Sequence, residues 1–321
     1  MRTYLPAFLL VLVSLPAFAA AQKTVDATYT ATIANVPAGL AELKVWIPLP
    51  ETRGWQRVSN VTIEAPFPFT RHTEKEFGNQ YAFAVIQNPP AGDLTVRVKF
   101  TATRQEAMAP VEKSATRADL QRALRADKLV TVSPRLRSLA NELTKGISDP
   151  YEQAHAIFNY LVVTMKYDKT IPGWGRGDSE RMCDIKAGNC TDFHSLFMSL
   201  ARAKAIPTRF VIGFPLTGLD GEVKGYHCWA EFYVKGKGWI PVDASDASKL
   251  KDPAAQQFLF GHLDPNRLQF TMGRDLVLSP RTSEPLNYFI YPRAEAAGKT
   301  VGDPSISLQF REVSQSASTS F

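Results

Sequence analysis

Three residues carry the chemistry this chain could perform. Cys190 stands in "KAGNCTDFHSLF", His227 opens "HCWAEFYV" and Asp243 closes "GWIPVD". A cysteine attacks as its thiolate, and a helix N-terminus favours the thiolate through the macrodipole and unpaired backbone N–H groups. The same N–H groups can stabilise an oxyanion on an attacked carbonyl. A histidine within reach can carry the proton, and a carboxylate can orient its ring. Cys, His and Asp in that order suit acyl transfer. The competing reading of Cys190 alone is a buried, inert thiol, because Phe193, Leu196, Phe197 and Leu200 follow it on one helix face.

The elements that must position these groups are a helix and a hairpin. Gly188-Asn189 provides a tight turn into a helix beginning near Cys190. His227 and Asp243 lie on consecutive β runs joined by "KGKG". A regular four-residue loop would pair Val234 with Trp239, set His227 opposite Asp246 and turn Asp243 to the other face. For Asp243 to serve His227 the ladder must slip by one residue, through a bulge or irregular turn at Gly236 or Gly238.

Three ordered blocks, "GNCTDFHSLFMSLARAKAIPTRFVIGF", "GYHCWAEFYV" and "GWIPVDAS", resemble the motifs of the transglutaminase-like superfamily, whose core is similar to papain. The resemblance spans about residues 134–246. It implies a cysteine enzyme acting on peptide or amide bonds, with Cys190 as nucleophile, His227 as base and Asp243 as its partner. Water as acceptor would make it a peptidase or amidase, and an amine would make it a transamidase. The stretch "FLFGHLDPNRLQFTMGRDLVLSP" followed by "LNYFIYP" resembles secreted bacterial members and reads as an extension of the catalytic domain. A rival from another class is a non-catalytic envelope module that keeps the fold and binds a polypeptide.

Other residues are secondary candidates. Trp174 in "PGWGRG" and Trp229, two residues after His227, carry donor-only indoles that could serve as a second oxyanion donor or as cleft wall. His194, one turn after Cys190, could border the cleft. Strand alternation puts Cys228 on the face opposite His227, so a Cys183–Cys228 disulfide would leave Cys190 free, whereas a bridge to Cys190 would silence it. Zinc is a weaker reading of Cys183, Cys190, His194, His227 and Cys228, since CxxC and HExxH spacings are absent. The acyl chemistry calls for no metal and no cofactor.

The rest of the chain frames this core. Arg2 and "YLPAFLLVLVSL" read as a signal peptide over residues 1–21, with cleavage after Ala19 or Ala21, which implies a periplasmic or secreted protein. Without Arg2 the chain holds 36 basic and 31 acidic residues. That scattered excess does not call for nucleic acid. A protein or peptide substrate, envelope-associated if the chain is exported, is what the transglutaminase-like resemblance implies. After the leader no apolar run is long enough to span a membrane. Residues 23–104 read as a β-sandwich, 105–132 as a linker, 133–313 as the catalytic domain with a C-terminal β extension, and 314–321 as a disordered tail. The expected class is α+β: an N-terminal β-sandwich, then a papain-like core of helices packed on an antiparallel sheet.

Overall fold

A computed structural model describes residues 21–313. The expected tail, and the expected leader up to Ala20, lie outside the described residues. The region read as a sandwich holds β1 (Gln22–Val36), β2 (Glu42–Pro48), β3 (Gln56–Glu64), β4 (Thr70–Thr73), β5 (Gln80–Gln87) and β6 (Gly92–Gln105). Period-two alternation places Val25, Ala27, Tyr29, Ala31 and Ile33 on one buried face of β1. They share a core with Leu43, Val45 and Ile47 of β2.

The stretch expected to be a linker is folded. It contains β7 (Ala107–Met108) and α1 (Arg117–Leu124), and Ala107, Ala123 and Val130 are buried. Buried apolar side chains tie it to its neighbours, which corrects the linker reading.

Three helices follow: α2 (Pro134–Leu143), α3 (Pro150–Thr164) and, after the short strand β8 (Lys166–Tyr167), α4 (Ser179–Ile185). Ser133 and Asp149 cap α2 and α3, each with proline in the first turn, where its missing N–H costs nothing. Then come β9 (Ala187–Gly188) and α5 (Cys190–Ala203), every residue of which is buried. The chain continues through β10 (Thr208–Pro215), β11 (Asp220–Val223), β12 (His227–Val234), β13 (Gly238–Val242), α6 (Ala244–Ala247), α7 (Pro253–Phe258), β14 (His262–Leu263) and β15 (Arg267–Met272). An antiparallel sheet in the order β13-β12-β10-β15 supports α5. The architecture is α+β.

The last strands are β16 (Arg293–Ala296), β17 (Lys299–Thr300) and β18 (Asp303–Glu312). β18 sits between β11 and β1 in the sheet β11-β18-β1-β6-β3, and β16 joins β2 in the sheet β17-β16-β2-β5-β4. The C-terminal extension expected to belong to the catalytic domain therefore completes both N-terminal sheets. Leu276, Leu278, Leu286 and Phe289 also cover Trp46, Tyr81 and Phe83 on the outer side of the second sheet. Unpaired strand edges and exposed aromatic faces are costly, and the C-terminal strands cover both. Among the described residues, no helix is long and apolar enough to cross a membrane.

Candidate active site

The N-terminus of α5 is built by Asn189 and Asp192. Asn189 Oδ1 accepts from Thr191 N at 2.9 Å and from Asp192 N at 3.4 Å, and the Asp192 carboxylate accepts from Asn189 N at 2.9 Å, forming a capping box. The Asp192 carboxylate also accepts from Gly175 N at 2.7 Å and Gly177 N at 2.9 Å. One buried carboxylate thus pins the glycine-rich loop to the start of the helix. A Cβ on Gly188 would fall 2.3 Å from Asp192 Oδ2, so only glycine fits beneath it.

Cys190 is the first residue of α5 and is 1% exposed. Burial alone would push its thiol up. Hydrogen bonds from Cys228 and His227, with the charges of His227 and His194, outweigh that and hold it well below the ordinary thiol value. His227 shows the reverse balance: burial would lower it, but Asp243, Asp246 and the bond to Cys190 raise it to about 10. The two shifts together describe a thiolate–imidazolium pair.

His227 Nε2 donates to Asp243 Oδ2 at 2.7 Å, leaving Nδ1 as the ring nitrogen for Cys190. The hairpin explains why Asp243 can be reached. Val234 pairs with Gly238, one residue earlier than a four-residue loop would set it, and Ala230 pairs with Val242. The turn is residues 235–237, with Gly236 and Gly238 at φ 82° and 80°. That one-residue slip turns Asp243 to the His227 face. Asp246 Oδ2 stands farther off, at 3.4 Å from His227 Nε2.

Arg267 completes the cluster, and sequence reasoning missed it. Its guanidinium donates to Asp243 Oδ2 from Nε at 3.0 Å and Nη2 at 2.9 Å, and to Asp246 Oδ2 at 2.9 Å. Burial would raise the Asp243 carboxyl, yet His227 and Arg267 hold it well below the usual carboxylate range. The only available signal was an arginine opening the buried strand "RLQFTM". His227, Asp243 and Asp246 each offer a donor atom within 4.8 Å of the others, the spacing of a metal site. Arg267 already supplies a cation to both carboxylates, so the set reads as a hydrogen-bonded cluster.

The secondary candidates fall in different places. His194 is fully buried beneath the cluster; its Nδ1 donates to Cys190 O at 2.8 Å, and Nε2 lies 3.6 Å from Asp243 Oδ1. Trp229 is 1% exposed with no hydrogen-bond partner for Nε1. Trp174 is 40% exposed, with Lys169 Nζ 5.7 Å from its ring. Cys183, on α4, and Cys228 are both free thiols, so the disulfide considered between them is not formed. Cys228 Sγ instead lies 3.7 Å from Thr191 Oγ1 and 3.8 Å from His194 Nδ1, against the first turns of α5. Alternation separates neighbouring side chains only across a sheet; at the strand end, where β12 begins beside the tip of α5, both faces reach that helix. Tyr226, also missed, receives a hydrogen bond from Asn189 Nδ2 at 3.0 Å and lies 2.9 Å from Thr191 Oγ1.

Residues 137–244 match the family model for the transglutaminase-like superfamily. Over these residues the chain is similar to that superfamily. An uncharacterized protein of Haemophilus influenzae is 28% identical over 307 residues, covering 82% of this chain and 83% of the relative. A protein-glutamine gamma-glutamyltransferase of Pseudomonas aeruginosa is 27% identical over 126 residues, which is 35% of this chain and 18% of that protein. A solved Cytophaga hutchinsonii structure, described as a candidate cysteine protease, superposes with a TM-score of 0.61 at 15% identity over 91% of this chain and 92% of that one. That likeness is one of fold. It extends beyond residues 137–244 to nearly the whole chain, so it takes in the N-terminal sheets as well.

Proposed function

We propose that this chain is an exported cysteine enzyme acting on peptide or amide bonds, with Cys190, His227 and Asp243 as its catalytic residues. The observation that carries the reading is His227 standing between the other two: its Nε2 donates to Asp243 Oδ2 at 2.7 Å, and its charge helps to hold the Cys190 thiol low. In the proposed cycle the Cys190 thiolate attacks the substrate carbonyl carbon. The oxyanion forms at the N-terminus of α5, where backbone N–H groups and the helix dipole favour negative charge. His227 then passes its proton to the leaving amine, and the C–N bond breaks to leave an acyl-thioester on Cys190. Neutral His227 next takes a proton from the acceptor, which attacks the thioester and frees the thiolate. Asp243 keeps the imidazole oriented and stabilises its charged form.

Hydrolysis is favoured over transamidation because water is always present as acceptor. Two cavities offer candidate substrate space. One of about 340 Å³ is bounded in part by Tyr288 and Tyr291, whose rings pack on Tyr226. The other, about 350 Å³, is bounded by Asp246, Arg267, Leu250 and Phe258. Export to a periplasm or the medium is supported by the charged start and short apolar run of the first 21 residues. Incubating the protein with a mixed peptide library, with and without a small primary amine, tests the reading. Products that disappear in Cys190→Ala support it, and cleavage or amine incorporation assigns the acceptor. No product in any condition would favour the binding-module reading instead.

A further inference from the structure

Tyr226 directly precedes His227, and its hydroxyl is tied to the residues on either side of Cys190. Asn189 Nδ2 donates to Tyr226 Oη at 3.0 Å, and Thr191 Oγ1 lies 2.9 Å from it. The half-buried ring packs on Tyr288 and Tyr291, at centroid distances of 5.6 and 6.0 Å. Those two tyrosines bound the cavity of about 340 Å³. The phenol thus stands between the cap of α5 and candidate substrate space. We propose that Tyr226 is a catalytic residue, its O–H donating beside the Cys190 N–H to the oxyanion formed on the attacked carbonyl.

The helix cap leaves the backbone half of this pair free. Asn189 Oδ1 takes the N–H groups of Thr191 and Asp192, and Asn189 O takes those of Asp192 and Phe193. Among the described residues no acceptor meets the Cys190 N–H. A phenol has two acceptor sites and one hydrogen. Asn189 Nδ2 fills one acceptor site. Cys228 Sγ, 3.7 Å from Thr191 Oγ1, is placed to donate to that hydroxyl, which can then turn its own hydrogen toward Tyr226 and fill the second. The tyrosine hydrogen is left for an acceptor in the cleft. Burial first, then Tyr288 and the negative charge of Cys190, holds the phenol well above its ordinary value, so it keeps that hydrogen while Cys190 is a thiolate. Neither indole considered for this task is tied to the cap: Trp229 Nε1 meets no partner, and Trp174 is 40% exposed beside Lys169.

The inference rests on the proposed acyl transfer. The Cys190 sulfur forms a C–S bond to the carbonyl carbon, and the C=O π pair moves onto oxygen. Tyr226 and the Cys190 N–H donate to that oxygen without giving up their protons. On collapse the π bond re-forms, the C–N bond breaks, and the leaving amine takes its proton from His227. Alkylation by iodoacetamide differs. It displaces iodide from a saturated carbon and develops no oxyanion, so Tyr226 takes no part in it.

The test compares these two reactions on the full chain at one pH. Acetylation of Cys190 by p-nitrophenyl acetate is read as p-nitrophenolate release and as an acetyl group in the peptide map; alkylation is read with iodoacetamide. Tyr226→Phe is expected to slow acetylation about 100-fold, the scale of one lost oxyanion donor, while labelling keeps its wild-type rate. Thr191→Val leaves the phenol in place but removes the bond that turns it, and should slow acetylation roughly tenfold with labelling retained. Tyr226→Phe that acetylates at the wild-type rate, or that slows equally in both reactions, overturns the inference. So does acetylation that falls in Trp174→Phe or Trp229→Phe but not in Tyr226→Phe. Should Tyr226→Phe fail to fold, unchanged acetylation in Thr191→Val overturns it. Wild-type Cys190 that alkylates as a thiolate yet takes no acetyl group also overturns it. A wild-type Cys190 inert to both reagents removes the enzyme reading instead.

Discussion

Arg267 Nη2 donates to Asp243 Oδ2 at 2.9 Å, the same oxygen that accepts from His227 Nε2. Asp243 is fully buried and Arg267 nearly so, so neither charge is screened by water. The guanidinium offsets two carboxylates that would otherwise lie uncompensated beside His227.

Replacing Arg267 by methionine should therefore destabilise the protein by roughly 3–5 kcal/mol, the usual cost of stranding a buried partner. Urea unfolding of wild type and Arg267→Met measures it. An unchanged midpoint would mean that water or a side-chain rearrangement already satisfies Asp243.

The thiolate–imidazolium pair makes a prediction about stability and pH. His227, raised to about 10, contributes stability that is complete below the ~6.5 of a free imidazole and lost as pH rises through 10. Cys190 is depressed, so its contribution is complete above ~8.5 and lost as pH falls through its folded value. Between ~6.5 and ~8.5 the folded pair and the unfolded side chains each hold one proton, so the two pH dependences cancel. Above that window only the folded pair keeps its proton. Unfolding free energy should stay level across the window and then decline toward pH 10, relative to His227→Ala. Parallel curves for the two proteins above pH 8.5 would contradict the ion pair.

Asp192 accepts three backbone N–H bonds and fixes the glycine-rich loop against α5. Hydrogen bonds to a charged group contribute ~1.5–3 kcal/mol each, with incomplete additivity. Asp192→Ala should cost about 3 kcal/mol or more and expose residues 172–177 to proteolysis. A variant as protease-resistant as wild type would show that the loop is held by other contacts, such as the Arg274 bond to Arg176 O.

The local features of the site were legible in the sequence, and the non-local ones were not. Apolar spacing after Cys190 describes α5, and the conflict between a four-residue loop and the facing of Asp243 required the one-residue slip that Val234–Gly238 pairing provides. Arg267 was hidden because an arginine in a strand shows nothing about which carboxylate it will meet. Cys228 was misplaced because alternation describes a strand's middle, whereas this residue lies at its end. The partner of β18 was equally unreadable: alternation identifies a strand's buried face but not the strand beside it, here β1, more than 260 residues away in sequence by the pairing of Val25 with Glu312.

The central claim is that Cys190 is a thiolate activated by His227. Its most direct measurement is the rate of iodoacetamide labelling against pH, followed by peptide mapping. The account predicts labelling at Cys190 with a rate already at its plateau well below the ~8.5 of a free thiol. In His227→Ala the midpoint should move upward. A rate that climbs through an ordinary thiol titration in wild type, or a label found on Cys183 or Cys228 in place of Cys190, would contradict it.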